Sequence, residues 1–281
     1  MTTQLKQSEK KRFEFERRPG VRYDLDYQEI TKTLNGFRDY EEDTLFYSHI
    51  RQFSKESLFF LCYFVLGMYP INQPWLVERV KEAQDHHDKT LDLWFREAWK
   101  STILTYALPI WEIIHNPEVS IGIFSHTRNI AKGFLRRIKF TLEGNGLLQK
   151  AFPDIFFESP HKQSPKWSED EGLLVRRHGV YAESTLEAWG VVDAQPTSKH
   201  FDIRVYDDVV TPEGVNTMDQ IKKTEERFAL SHNLGRHGGS VRVIGTRYHF
   251  NDLYGALIER GGWAERVYPV IDADGDPILH T

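Results

Sequence analysis

A single cysteine, Cys62, stands in 281 residues, so no internal disulfide can form and a reducing cytoplasm suits the chain. Long apolar runs are missing: the longest, Leu58 to Tyr69, falls short of the roughly 20 residues that a bilayer span needs. The N-terminus is charged and holds no apolar signal core. Internal repeats and low-complexity segments are absent, which argues against a solenoid or a fibre. Strong basicity is absent too. The net charge is -5, so any nucleic-acid contact must be a local patch. What is present is globular: 40% apolar and 27% charged residues can bury a sizeable core and exclude a disordered chain. At roughly 150 residues per domain the length fits one large domain or two small ones.

Charge is unevenly spread. Residues 1–22 carry Lys6, Lys10, Lys11, Arg12, Arg17, Arg18 and Arg22 against Glu9, Glu14 and Glu16. Such an arm can touch phosphates or an acidic partner, or remain a solvated terminus. A helix is expected from Ser54, as N-cap, through Leu58–Leu66, ended by Gly67 and Pro70. A second is expected over 75–83 behind Pro74. From residue 89 the pattern alternates. Strands are expected at 89–95, 119–124, 201–206, 240–245 and 266–271, with helices at 101–114, 127–142, 217–230 and 253–260. Residues 172–177 and 181–188 read as a β-excursion, and Pro109 should kink or shorten its helix. Strands alternating with helices of this length predict an α/β fold: a mainly parallel sheet covered by helices on both faces. Ligands in such sheets sit at the carboxyl ends of strands.

Three strand ends carry candidate chemistry. After 89–95 comes Arg96-Glu97-Ala98-Trp99-Lys100-Ser101-Thr102. Lys-Ser at a helix start suits phosphate and Mg²⁺, as in a P-loop, but the glycines of GxxxxGK[ST] are replaced by Trp94 and Trp99. After 201–206 come Asp207 and Asp208; one carboxylate can hold Mg²⁺ and the next can polarise water, or either can cap a turn. After 240–245 comes Gly245-Thr246-Arg247, whose hydroxyl can sense a γ-phosphate or sit in a plain turn. The order Lys-Ser, Asp-Asp, Gly-Thr matches an additional-strand (ASCE-type) P-loop NTPase.

These motifs resemble the ATPase domain of the large terminase subunit of tailed bacteriophages, the motor that packs DNA into a prohead. The likeness runs from about Leu58 to Leu279. Beyond the three strand ends it includes Phe124-Ser125-His126-Thr127, Phe152-Pro153-Asp154-Ile155, Lys166-Trp167-Ser168, Gly190, His200-Phe201-Asp202 and Tyr248-His249. The resemblance implies Mg²⁺-dependent ATP hydrolysis that drives double-stranded DNA translocation. It places Lys100 on the β/γ-phosphates, Ser101 on Mg²⁺ with Thr102 beside it, and Arg96 within reach of the nucleotide. Glu97, Ala98 and Trp99 complete the loop. Asp207 matches the Walker B aspartate that fixes Mg²⁺. Asp208 falls where many relatives carry a catalytic glutamate and is one methylene shorter. Thr246 matches the coupling motif, and Gln73 the adenine-recognising glutamine. The implied partners are duplex DNA, a portal protein, a small terminase subunit and other copies of the chain in a ring; no membrane is implied. The implied location is the host cytoplasm, transiently on the prohead.

The expected organisation is an N-terminal arm and helical extension over 1–53 and an ATPase domain over 54–281, without the nuclease domain usual in that family. Arg128, Lys132 and Arg136 form a helical stripe that can contact DNA, supply an arginine finger to a neighbour, or be a solvated face. Asp85-His86-His87-Asp88 reads as a polar linker rather than a metal cluster. Two rival readings stand: a helicase-type translocase, and a degenerate P-loop module that docks on DNA or a portal without hydrolysing ATP.

Overall fold

A computed structural model describes residues 43–271; the basic arm of residues 1–22 lies outside them. The chain divides into two compact units, up to Asp85 and from His86 onward. The expected boundary at 53/54 falls inside a helix.

In the first unit, helix α1 (Asp43–Glu56) is followed by the short helix α2 (Leu58–Phe60) and a π-helical turn, Leu61–Val65. The N-cap is Ser57, not Ser54: the Ser57 hydroxyl accepts from the Phe60 N–H at 3.0 Å, while Ser54 is buried within α1. Gly67, at φ 66°, ends the run in a conformation open to glycine. Aromatic packing closes this unit, with Phe53 edge-on to Phe60 and Phe60 stacked on Phe64. Cys62 is buried there, and burial pushes its thiol pKa up. Helix α3 (Pro74–Asp85) starts at Pro74, whose missing N–H costs nothing in a first turn.

The second unit is an α/β fold. Its strands are β1 (Thr90–Trp94), β2 (Ile121–Ser125), β3 (Trp167–Ser168), β4 (Gly172–Leu173), β5 (Leu186–Gly190), β6 (Phe201–Asp207), β7 (Gly235–Gly245) and β8 (Ala264–Tyr268). They form one eight-stranded sheet in the order β3-β4-β5-β2-β6-β7-β1-β8. Pairings from β5 to β8 are parallel; β3–β4 and β4–β5 are antiparallel. Of the excursion expected at 172–177 and 181–188, Gly172–Leu173 and Leu186–Gly190 are strands; β5 joins the parallel part of the sheet, and the edge strand β3 was not foreseen. Strand β7 begins five residues earlier than expected, because its paired stretch against β6 extends past an irregularity near Phe201.

The helices are α4 (Leu108–His115), α5 (Arg128–Gly144), α6 (Gly146–Ala151), α7 (Pro160–Gln163), α8 (Met218–Ser231) and α9 (Leu253–Arg260). Alternate strand residues separate the sheet faces. On one face Phe124, Tyr206 and Val243 join Phe228 of α8 and Tyr254 and Leu257 of α9 in a buried core. Burying each such side chain stabilises by roughly 1.5–3 kcal/mol. Pro109 does not shorten its helix, which runs on to His115. The chain turns helical at Lys100, and a π-helical stretch, Thr102–Ala107, precedes α4. There the Leu108 N–H reaches back five residues to Ile103 O, which accommodates the donor that Pro109 lacks.

Charged side chains inside the sheet find polar partners. Arg204, unexpected in a central strand, donates to His232 O at 2.7 Å. Its guanidinium fits because Gly235 has no Cβ, which would otherwise lie 2.4 Å from it. Arg242 meets Glu112, and Asp92 meets Arg266 at 2.6 Å. Burial raises the Asp92 pKa although Arg266 opposes it. No helix among the described residues is long and apolar enough to cross a membrane.

Candidate functional site

β1, β6 and β7 lie side by side and parallel, so their C-terminal ends open on one edge of the sheet. The loop after β1 delivers Lys100 and Ser101 to that edge. Lys100 is buried, and its Nζ donates to Thr246 Oγ1, just beyond β7, at 2.9 Å. Ser101 Oγ donates to Asp207 Oδ1, the last residue of β6, at 3.1 Å. Thr105, one helical turn after Ser101, donates to the other Asp207 oxygen. The three strand ends singled out in the sequence thus converge on one hydrogen-bonded cluster.

Burial outweighs the nearby cations in the electrostatics of this edge. Asp207 is fully buried; desolvation, then the adjacent Asp208 carboxylate, push its pKa up to about 7. Asp208 is also raised by burial, while Lys100 and Arg96 pull it down. The Asp208 Oδ1 atom is buried without a hydrogen-bond partner. A buried carboxylate beside a half-buried one whose Oδ1 is idle, flanked by a serine hydroxyl, is a donor set that suits a hard divalent cation.

Backbone strain concentrates here. Among the described residues four non-glycines have positive φ, and three belong to this edge: Glu97 (67°), Trp99 (61°) and Asp208 (46°). Bulky residues in the left-handed region cost of order 1–3 kcal/mol each, and such strain collects at functional sites. The missing glycines thus separate into two cases. Trp94 is the last residue of β1, buried in the sheet with Nε1 donating to Asp92 at 3.1 Å, and nothing there calls for glycine. Trp99 occupies the left-handed conformation that glycine would adopt freely. Ala98 between the strained residues is fully buried.

The remaining predicted residues are placed as follows. Arg96 is exposed; its Nη2 donates to Tyr248 OH at 2.8 Å, with the guanidinium 5.5 Å over the ring. Thr102 follows Ser101, and its hydroxyl accepts from Arg137 at 3.0 Å. Gln73 lies in the first unit, where its carbonyl accepts from the Val77 N–H at 2.9 Å. Arg128 and Arg136 are engaged within the chain. Arg128 donates to the Ala188 and Asp170 carbonyls and sits 4.6 Å over Trp189. Arg136 grips Glu169 at 2.9 and 2.6 Å. The carbonyls of His86 and His87 and the Asp88 carboxylate accept from Arg266, Arg242 and the Val241 N–H.

Several contributors were missed. Thr105 was visible only as a hydroxyl four residues after Ser101. Tyr254 had no signal at all: its ring fills the space beside Gly245, where a Cβ would lie 2.2 Å away. Ser125, at the end of β2, is buried with an unpartnered hydroxyl. Gly190 leaves room for Asp193, whose carboxylate caps the Arg128 N–H at 3.0 Å in place of Thr127. Compared with known proteins, the sequence matches no family model and no curated protein.

Proposed function

We propose that the second unit is an additional-strand P-loop ATPase that hydrolyses Mg²⁺-ATP and, as in the terminase large subunits it resembles, drives double-stranded DNA into a prohead. The observation that carries the ATPase reading is the Lys100–Thr246 and Ser101–Asp207 pair of contacts across three strand ends. Supporting it, β7 lies between β1 and β6, the added-strand arrangement that this class requires. The DNA-packaging reading is supported by the motif series from Leu58 to Leu279.

Phosphoryl transfer asks a protein for positioning and charge stabilisation. Lys100 holds the β/γ-phosphates, aided by the N–H groups that open its helix. Arg96 adds a second cation from the same loop. Ser101 and Asp207 would hold Mg²⁺, which supplies charge neutralisation when bound. Asp208, with its raised pKa and idle oxygen, orients the attacking water and takes its proton. Thr246 gives up Lys100 when the lysine turns to phosphate, so nucleotide occupancy is felt at the end of β7. Arg128 and Arg136 serve a neighbouring subunit only if their pairings with Asp170 and Glu169 open.

The test is Mg²⁺-dependent phosphate release by the parent and by Asp208→Asn, with and without duplex DNA. Turnover should rise with protein concentration and with DNA. The Asn variant should lose at least about 100-fold. Equal turnover in the two proteins would refute the role of Asp208. No release from the parent under any of these conditions, with nucleotide still bound, would favour the non-hydrolysing docking module.

A further inference from the structure

Helix α5 carries five basic side chains, and four are committed. Arg128 is bonded to two carbonyls, Lys132 to Asp170, Arg136 to Glu169 and Lys139 to Glu143. Arg137 differs. Its guanidinium lies 4.0 Å over the Tyr106 ring, and Nη1 donates to Thr102 Oγ1 at 3.0 Å. No carboxylate pairs with it among the described residues, and it is exposed. A guanidinium has five N–H donors, and the Thr102 hydroxyl takes one. A cation without a carboxylate partner among the described residues is therefore stacked on a ring beside the first turn of the helix that begins with Lys100 and Ser101.

The direction it faces is informative. Lys100 and Ser101 reach β7 and β6 through Thr246 and Asp207. Thr102 is one residue further on, roughly a quarter of a turn around the helix, and there its hydroxyl meets α5 instead. Resting on the ATPase reading above, we propose that Arg137 is a nucleotide-binding residue that grips the α-phosphate of the bound nucleotide together with Thr102. A planar guanidinium pre-oriented by an aromatic ring suits two-pronged binding of a phosphate, and lysine at this position would not. The α-phosphate is common to ATP and ADP, so the contact serves both and does not distinguish substrate from product.

The experiment is calorimetric titration of the full chain with Mg²⁺-ADP and with a non-hydrolysable Mg²⁺-ATP analogue. The variants are Arg137→Met, which keeps an apolar stem over Tyr106, and Arg137→Lys, which keeps the charge. Thermal unfolding without nucleotide accompanies each. Arg137→Met should weaken both ligands alike, by about tenfold, and Arg137→Lys should recover part of that loss. Unchanged affinity in Arg137→Met, with or without a lower Tm, would reduce Arg137 to a packing clamp and overturn the proposal. Loss confined to the ATP analogue would place it at the γ-phosphate and overturn it as well. A parent that binds neither nucleotide would overturn the ATPase reading and this inference together. A parent that binds both, with variants that do so equally, would overturn this inference alone.

Discussion

Replacing Trp99 tests the loop after β1 at one of its two left-handed residues. Trp99 sits at φ 61° immediately before Lys100. A left-handed conformation costs an L-residue roughly 1–2 kcal/mol that glycine does not incur. Trp99→Ala keeps that cost and removes the half-buried ring; Trp99→Gly removes both. Comparing the two variants cancels the lost packing. Glycine's greater freedom in the unfolded chain takes back about 0.4–1 kcal/mol. The glycine variant should therefore be the more stable of the two by about 0.5–1 kcal/mol, a shift of roughly 1–4 °C in Tm for a unit of this size. Urea unfolding with equal m-values would read it directly. The glycine variant should also bind nucleotide at least as well as the parent, because its loop can close on phosphate without strain. An alanine variant as stable as the glycine variant, or more stable, would refute the left-handed geometry and the account of why this loop tolerates tryptophan.

Gly245→Ala would set a methyl group 2.2 Å from the buried Tyr254 ring, so a loss of about 1–3 kcal/mol is expected in denaturant unfolding, and a neutral result would contradict the packing described. Acid should destabilise the second unit through His232, whose pKa is lowered to about 4 by burial and by Arg204, with Tyr206, Phe228 and Trp263 as its aromatic neighbours. Below the ordinary value of 6.5 the unfolded chain takes up a proton that the folded one refuses, so this stability is complete above about pH 6.5 and declines towards pH 4. His232→Phe should flatten that limb of a Tm-against-pH curve, and an unchanged limb would assign it to other groups.

Much of the fold was legible because α/β periodicity is strong. Helix α9 fell at its expected bounds, with Asp252 as its N-cap, and β1, β2 and β6 were found to within a residue or two. Short edge strands were not, since two residues such as Trp167–Ser168 carry no period. Ser54 and Ser57 are both good caps by type, and only the tertiary burial of Ser54 decides between them. Lys100, Ser101, Asp207 and Thr246 were legible as residue types at strand ends. Their neighbours were not, because Thr105 and Tyr254 reach them through packing between elements that leaves no local mark. The strain at Trp99 was visible only as a missing glycine; the backbone angle explains what that absence costs.

The central claim is that the loop from Arg96 to Thr102 binds the phosphates of ATP. Calorimetric titration of the parent and of Lys100→Ala with a non-hydrolysable Mg²⁺-ATP analogue tests it most directly. The account predicts saturable one-to-one binding by the parent and a loss of at least tenfold in the variant. No binding by the parent at millimolar nucleotide, or equal binding by both proteins, would contradict it.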